Sequence, residues 1–89
     1  MTGKKTDLNH AQIRDGLRER GYLVEDTSMF GRGFPDLLVG DKKGHFVLLE
    51  VKSDGGDLYK NQRKFFDRWL GYPRFVVRSL EDVLEVIGT

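Results

Sequence analysis

Two apolar runs, Phe34 to Gly40 and His45 to Ser53, flank Asp41-Lys42-Lys43-Gly44. Apolar, β-branched segments separated by turn residues predict a β-hairpin, and Gly44 suits the left-handed third position of a three-residue loop, Lys42 to Gly44. That closure fixes the register, because a slip by one residue would turn every side chain to the other face. Asp41 then stands opposite His45, and Asp36 opposite Glu50. Three polar residues interrupt the runs: Asp36, Glu50 and Lys52. Side chains alternate along a strand, so Glu50 and Lys52 share a face, and the register brings Asp36 to the same one. Directly opposed residues have Cβ atoms ~5 Å apart, and two carboxylates that close repel unless a cation lies between them.

The rest of the chain supplies helices around this hairpin. After Asp7, expected as an N-cap, His10, Ile13 and Leu17 fall on one helical face, and Gly21 is the expected stop. Tyr22 to Glu25 reads as a short strand and Thr27 to Gly33 as an irregular loop. Beyond the Ser53 to Asp57 breaker, Leu58, Phe65, Phe66 and Trp69 share one helical face with Gln62 in its middle. Arg74 to Arg78 is a last strand, and Ser79 caps a helix carrying Leu80, Val83, Leu84 and Ile87. The order α, β, β, β, α, β, α gives an α/β fold with a mixed sheet flanked by helices, since the hairpin is antiparallel. Residues 1–6 are expected as a flexible basic tail and 7–89 as one domain.

Composition narrows the classes. The 89 residues contain no cysteine, which excludes disulfides and thiolate metal sites. No run approaches the ~20 apolar residues of a membrane span, and Met1 to Asp7 is polar, so a cytoplasmic protein without a membrane partner is expected. Fifteen Lys and Arg against fourteen Asp and Glu look unpromising for nucleic acid, because phosphate binding needs clustered cations. The layout matters more than the total. From Leu58 to Arg78 six cations face only Asp67, while Glu81, Asp82 and Glu85 gather in the last helix.

A pair of carboxylates with a lysine beside them suits a hard divalent cation such as Mg²⁺, which takes oxygen ligands and shares them with phosphate. The lysine can hold an attacking water and offset charge on a pentacoordinate phosphate, while the metal polarises the phosphoryl oxygen. Phosphodiester hydrolysis is the reaction implied. On the bland reading, the three residues would be an ordinary ion pair on an exposed edge hairpin, but the flanking Leu37, Val39, Leu49 and Val51 argue for burial.

Gly33-Phe34-Pro35-Asp36-Leu37, Glu50-Val51-Lys52 and a helical Gln62 resemble the PD-(D/E)XK nuclease superfamily, most closely its VRR-NUC (virus-type replication-repair nuclease) branch. The resemblance covers nearly the whole chain. It implies a restriction-endonuclease-like α-β-β-β-α-β core, here with an added C-terminal helix. It also implies a Mg²⁺-dependent or Mn²⁺-dependent endonuclease acting on branched DNA, with four-way (Holliday) junction resolution preferred. Carried over by residue, Asp36, Glu50 and the Val51 carbonyl are metal ligands, Lys52 is the catalytic lysine and Gln62 an accessory catalytic residue. The family often carries a Glu in the first helix, three residues before an apolar position; here His10 stands three before Ile13, and is carried as a catalytic candidate.

Lys60, Arg63, Lys64 and Arg68, on the polar face of the second helix, are expected to track DNA phosphates, with Arg32 reaching a phosphate or the minor groove. Gly31-Arg32-Gly33 is too short for a phosphate-binding loop, so no nucleotide cofactor is expected. Cutting two strands from one site per chain favours a homodimer, with the apolar Val83, Val86, Ile87 end available for an interface. The branch name suggests a phage-encoded protein acting in the host cytoplasm. The alternative function is a nucleic-acid-binding module of the same fold with weak or absent catalysis; a sequence-specific restriction-like nuclease is disfavoured for want of added recognition segments.

Overall fold

The computed structural model describes residues 4–88. Its elements are α1 (Lys4–Glu19), β1 (Val24–Asp26), a 3₁₀ turn (Ser28–Phe30), β2 (Leu37–Gly40), β3 (Phe46–Val51), α2 (Lys60–Arg68), β4 (Arg74–Val77) and α3 (Leu80–Ile87). Helix α1 starts at Lys4, so Asp7 lies within it and residues 4–6, expected as tail, are helical. Lys, Thr and Asp impose no break there. Residues 1–3 of that tail lie outside the described residues. The C-terminal stop follows the sequence: Tyr22 N–H bonds to Leu17 O at 3.1 Å and Gly21 N–H to Arg18 O at 3.0 Å, with Gly21 at φ 86°. These are the paired bonds of a Schellman motif.

The four strands form one mixed sheet in the order β1-β2-β3-β4, antiparallel for the first two pairs and parallel for β3 with β4. The hairpin register is the expected one. Asp41 N–H bonds to His45 O at 2.9 Å and Leu37 pairs with Leu49. Asp41 Oδ1 accepts from the backbone N–H groups of Lys43 and His45 at 2.7 and 3.0 Å, which closes the turn, and Gly44 has φ 87°. At the last helix Ser79 Oγ accepts from Asp82 N–H at 3.1 Å, as a capping serine should.

Alternation sorts the sheet residues into two environments. Leu37 and Val39 of β2 and Val47, Leu49 and Val51 of β3 meet Ile13 and Leu17 of α1 and Val83 and Ile87 of α3 in one core. Val83 and Ile87, expected at a subunit interface, are therefore consumed inside the chain, because α3 packs beside α1 on this face; of that trio only Val86 is exposed. The opposite face carries Leu38, Leu48 and Glu50, and Trp69, just past the end of α2, shares a cavity with Leu38 and Leu48 there. No helix among the described residues is long and apolar enough to cross a membrane.

Candidate active site

Asp36 lies one residue before β2, where two backbone bonds and one side-chain bond hold it. Its N–H donates to Leu49 O at 2.8 Å and its carbonyl accepts from Thr27 N–H at 2.8 Å. Its own Oδ2 accepts from Val51 N–H at 2.9 Å. Thr27, a buried residue that no spacing rule singles out, adds a bond from Oγ1 to Pro35 O at 2.7 Å. The carboxylate is thereby anchored at the start of the hairpin, beside Glu50.

Glu50 is 2% exposed. Its Oε2 accepts from Gln62 Nε2 at 3.0 Å and lies 3.7 Å from Lys52 Nζ, while its Oε1 is buried without a hydrogen-bond partner. Burial, then the negative charge of Asp36, push the Glu50 carboxyl up to about 8 against the pull of Lys52. A buried carboxylate oxygen without a partner carries its full desolvation penalty. Something with positive charge or a proton to donate would relieve it.

Gln62 organises the other two groups. Its Oε1 accepts from Lys52 Nζ at 2.9 Å and from Tyr59 N–H at 2.8 Å, which orients the amide with its nitrogen toward Glu50. Lys52 and Glu50 are thus bridged by an amide rather than bonded directly, since 3.7 Å exceeds a hydrogen bond. The ring of Tyr59 lies 4.2 Å from Lys52 Nζ and covers the ammonium. Asn9 of α1 donates from Nδ2 to Lys52 O at 3.0 Å and Arg78 O at 3.1 Å, tying the ends of β3 and β4 together.

Asp36, Glu50, Val51, Lys52 and Gln62 line one cavity of about 280 Å³, together with Ser53, Gly56, Asp57 and Tyr59. Five expected residues are brought together. His10 is not among the lining residues. Its Nε2 is 3.0 Å from Asp26 Oδ2 on the edge strand β1, against which α1 packs. Asp26 is partly buried, which opposes ionisation, but donors from Ser28 and from His10 outweigh this and bring it down to about 2. Asn9, Thr27 and Tyr59 escape sequence reasoning: each acts through a loop or a backbone contact that no periodicity marks.

Among the described residues no cluster of three or more His, Cys, Asp or Glu side chains converges. The cavity's two carboxylates and the neighbouring Val51 carbonyl are hard oxygen donors, suited to a cation that takes its remaining ligands from water or phosphate. Along α2, Lys60, Arg63, Lys64 and Arg68 are all exposed, with Arg63 3.4 Å from Asp57. Arg32 and Arg68 line a single depression on the same side.

Residues 4–78 match the VRR-NUC domain family. A solved structure described as a VRR_NUC domain superposes with a TM-score of 0.76 at 30% identity, over 93% of this chain and 94% of that one. Comparison with curated proteins yields no significant match. A restriction-endonuclease-like α/β core, a cavity that gathers Asp36, Glu50, Lys52 and Gln62, and a family match over most of the chain converge: this chain belongs to the VRR-NUC family and is a nuclease-type domain.

Proposed function

We propose that the domain is a metal-dependent endonuclease of DNA that selects branched substrates, four-way junctions first, and works as a homodimer. The observation that carries the metal is Glu50 Oε1, buried and unpartnered beside a second carboxylate. Asp36, Glu50 and the Val51 carbonyl would hold Mg²⁺ or Mn²⁺. When bound, such an ion polarises a phosphoryl oxygen and acidifies water.

The protein's own groups do the remainder. Lys52 presents an ammonium at the cavity, where it can hold the attacking water and offset charge on the phosphate. Gln62 keeps that ammonium from closing onto Glu50, and Tyr59 limits its approach to solvent. Lys60, Arg63, Lys64 and Arg68 on α2 supply a track for backbone phosphates, with Arg32 at its far end. With His10 engaged at Asp26, water and phosphate oxygens would complete the shell. One chain carries one such cavity, so paired incision across a junction favours a two-fold assembly.

The test is incubation of labelled linear duplex, flap and four-way junction DNA with Mg²⁺, Mn²⁺ or EDTA, beside Asp36→Asn and Lys52→Ala. Metal-dependent cutting of the junction by the wild type alone supports the proposal. Binding without cleavage in either metal would favour a binding module instead, and equal cutting of linear duplex would remove branch selectivity. Light scattering at the assay concentration reads the oligomer; a monomer that still makes paired incisions would overturn the dimer.

A further inference from the structure

The segment before the hairpin builds a second concave surface that the hydrolytic chemistry does not use. Gly31, Arg32 and Gly33 have φ of 71°, 57° and 82°, a run that only glycine neighbours tolerate. Gly33 is buried against α2: a Cβ there would collide with the Asn61 backbone carbonyl. The loop is thus seated on the helix that carries Gln62, and Arg32 projects beside it. Phe30, Gly31, Arg32, Phe34, Phe65 and Arg68 line an open depression of about 460 Å³. Ring centroids are 5.0 Å apart for Phe30 and Phe34 and 5.1 Å for Phe34 and Phe65. The Arg68 guanidinium lies 5.4 Å from the Phe65 ring centre. Phe30 is 65% exposed and Met29 90%.

We infer that this depression binds an unpaired nucleotide of the DNA substrate, its base against the exposed Phe30 ring and its phosphate between Arg32 and Arg68. The inference rests on the reading of the domain as a DNA nuclease and names the substrate feature it selects. Three observations favour a nucleotide. Flat aromatic faces accept bases of any identity, but only bases out of the duplex stack, whose faces are free. Neither arginine pairs with a carboxylate among the described residues, so both charges are available to phosphate. An interface between two copies would instead gather uncompensated guanidiniums as it lost water, which is costly.

The position is also fitting. Arg68 lies six residues beyond Gln62 on α2, roughly 9 Å along the helix axis at its 1.5 Å rise. At about 3.4 Å of rise per base on a strand, that is two or three nucleotides from the scissile phosphate. Flaps and forks offer unpaired nucleotides at that distance from a cut, a four-way junction does so when a pair at its branch point opens, and an intact linear duplex does not.

The experiment measures binding without cleavage, in Ca²⁺ or EDTA, by fluorescence anisotropy with oligothymidylate, a fork with single-stranded arms and a blunt linear duplex. Phe30→Ala and Arg32→Ala/Arg68→Ala are compared with the wild type, circular dichroism confirming that each is folded. Phe30→Ala is expected to weaken oligothymidylate and fork binding about ten-fold and linear duplex less than about two-fold. Removing both arginines is expected to lower the slope of log affinity against log salt for oligothymidylate by about 0.7, the two guanidiniums sharing one phosphate.

Trp69, the chain's one tryptophan, stacks on Phe65 with centroids 5.3 Å apart. Its fluorescence is expected to change with oligothymidylate in the wild type and much less in Phe30→Ala. Unchanged fork affinity, or equal losses on fork and linear duplex, would overturn the inference. So would a dimer that Phe30→Ala converts to monomer, which would make the depression an interface between copies. Cleavage of the same fork in Mg²⁺ by wild type but not Asp36→Asn reports separately on the nuclease reading.

Discussion

Leu49 and Glu50 are neighbours on β3 and both are buried, yet the two faces they serve differ in kind. Leu49 enters an apolar core shared with α1 and α3. Glu50 enters a cavity with a second carboxylate, an ammonium and an amide, and keeps one oxygen unpartnered. Strand alternation alone makes this separation. One face holds the fold together, while its reverse holds groups in an arrangement that costs stability. The lesson is that a small sheet can support a strained site if the strain is confined to one side.

The largest effect should separate the faces by activity. Asp36→Asn keeps an acceptor for Val51 N–H but loses its charge, and cleavage is expected to fall by roughly 10³-fold or more, about 4 kcal/mol of transition-state stabilisation. Thermal melting of that variant should match the wild type or exceed it, since one of two repelling carboxylates is gone. The reverse holds across the sheet: Leu49→Ala is expected to destabilise by about 3 kcal/mol through lost burial and a residual cavity. Chemical denaturation measures that loss.

A third, subtler difference is pH dependence. The Glu50 carboxyl lies at about 8 in the folded protein against an ordinary 4.5. Because the folded state holds this proton more tightly, the native state binds more protons than the unfolded one between those values, and stability falls as pH rises through that window. Without divalent metal, Glu50→Gln should therefore match the wild type near pH 4 and melt several degrees higher by pH 8. Parallel melting curves across that range would contradict the burial of an ionisable carboxylate. The smallest expected effect is at Asn9, whose side chain only ties Lys52 and Arg78 backbones together. Asn9→Ala is expected to cost about 1–2 kcal/mol by leaving those carbonyls short of a donor, with a larger loss in turnover than in DNA affinity, read from steady-state cleavage.

Much of this was legible from the chain. A turn of known length and three polar residues at strand spacing were enough to place Asp36 beside Glu50, because register is all-or-none when one face is buried. Gln62 was legible because an amide amid Leu58, Phe65 and Phe66 has to be facing something polar. Element ends were less so. Asp36 and Lys52 lie just outside their strands and Leu58 before its helix, since hydrogen bonding rather than hydropathy sets the ends. His10 follows the right helical face but meets Asp26 first, a long-range contact that no local pattern encodes. Asn9 and Thr27 work through backbone groups distant in sequence, and Val83 and Ile87 showed apolarity without showing what they pack against.

The claim that the face bearing Glu50 is a metal site in waiting is tested most directly by titrating Mn²⁺ into the protein, followed by electron paramagnetic resonance, with and without four-way junction DNA. The expected result is saturable binding by the wild type and by Lys52→Ala, strengthened by the junction, and lost in Asp36→Asn and Glu50→Gln. Equal Mn²⁺ binding by wild type and both carboxamide variants, or none by the wild type with junction present, would contradict it.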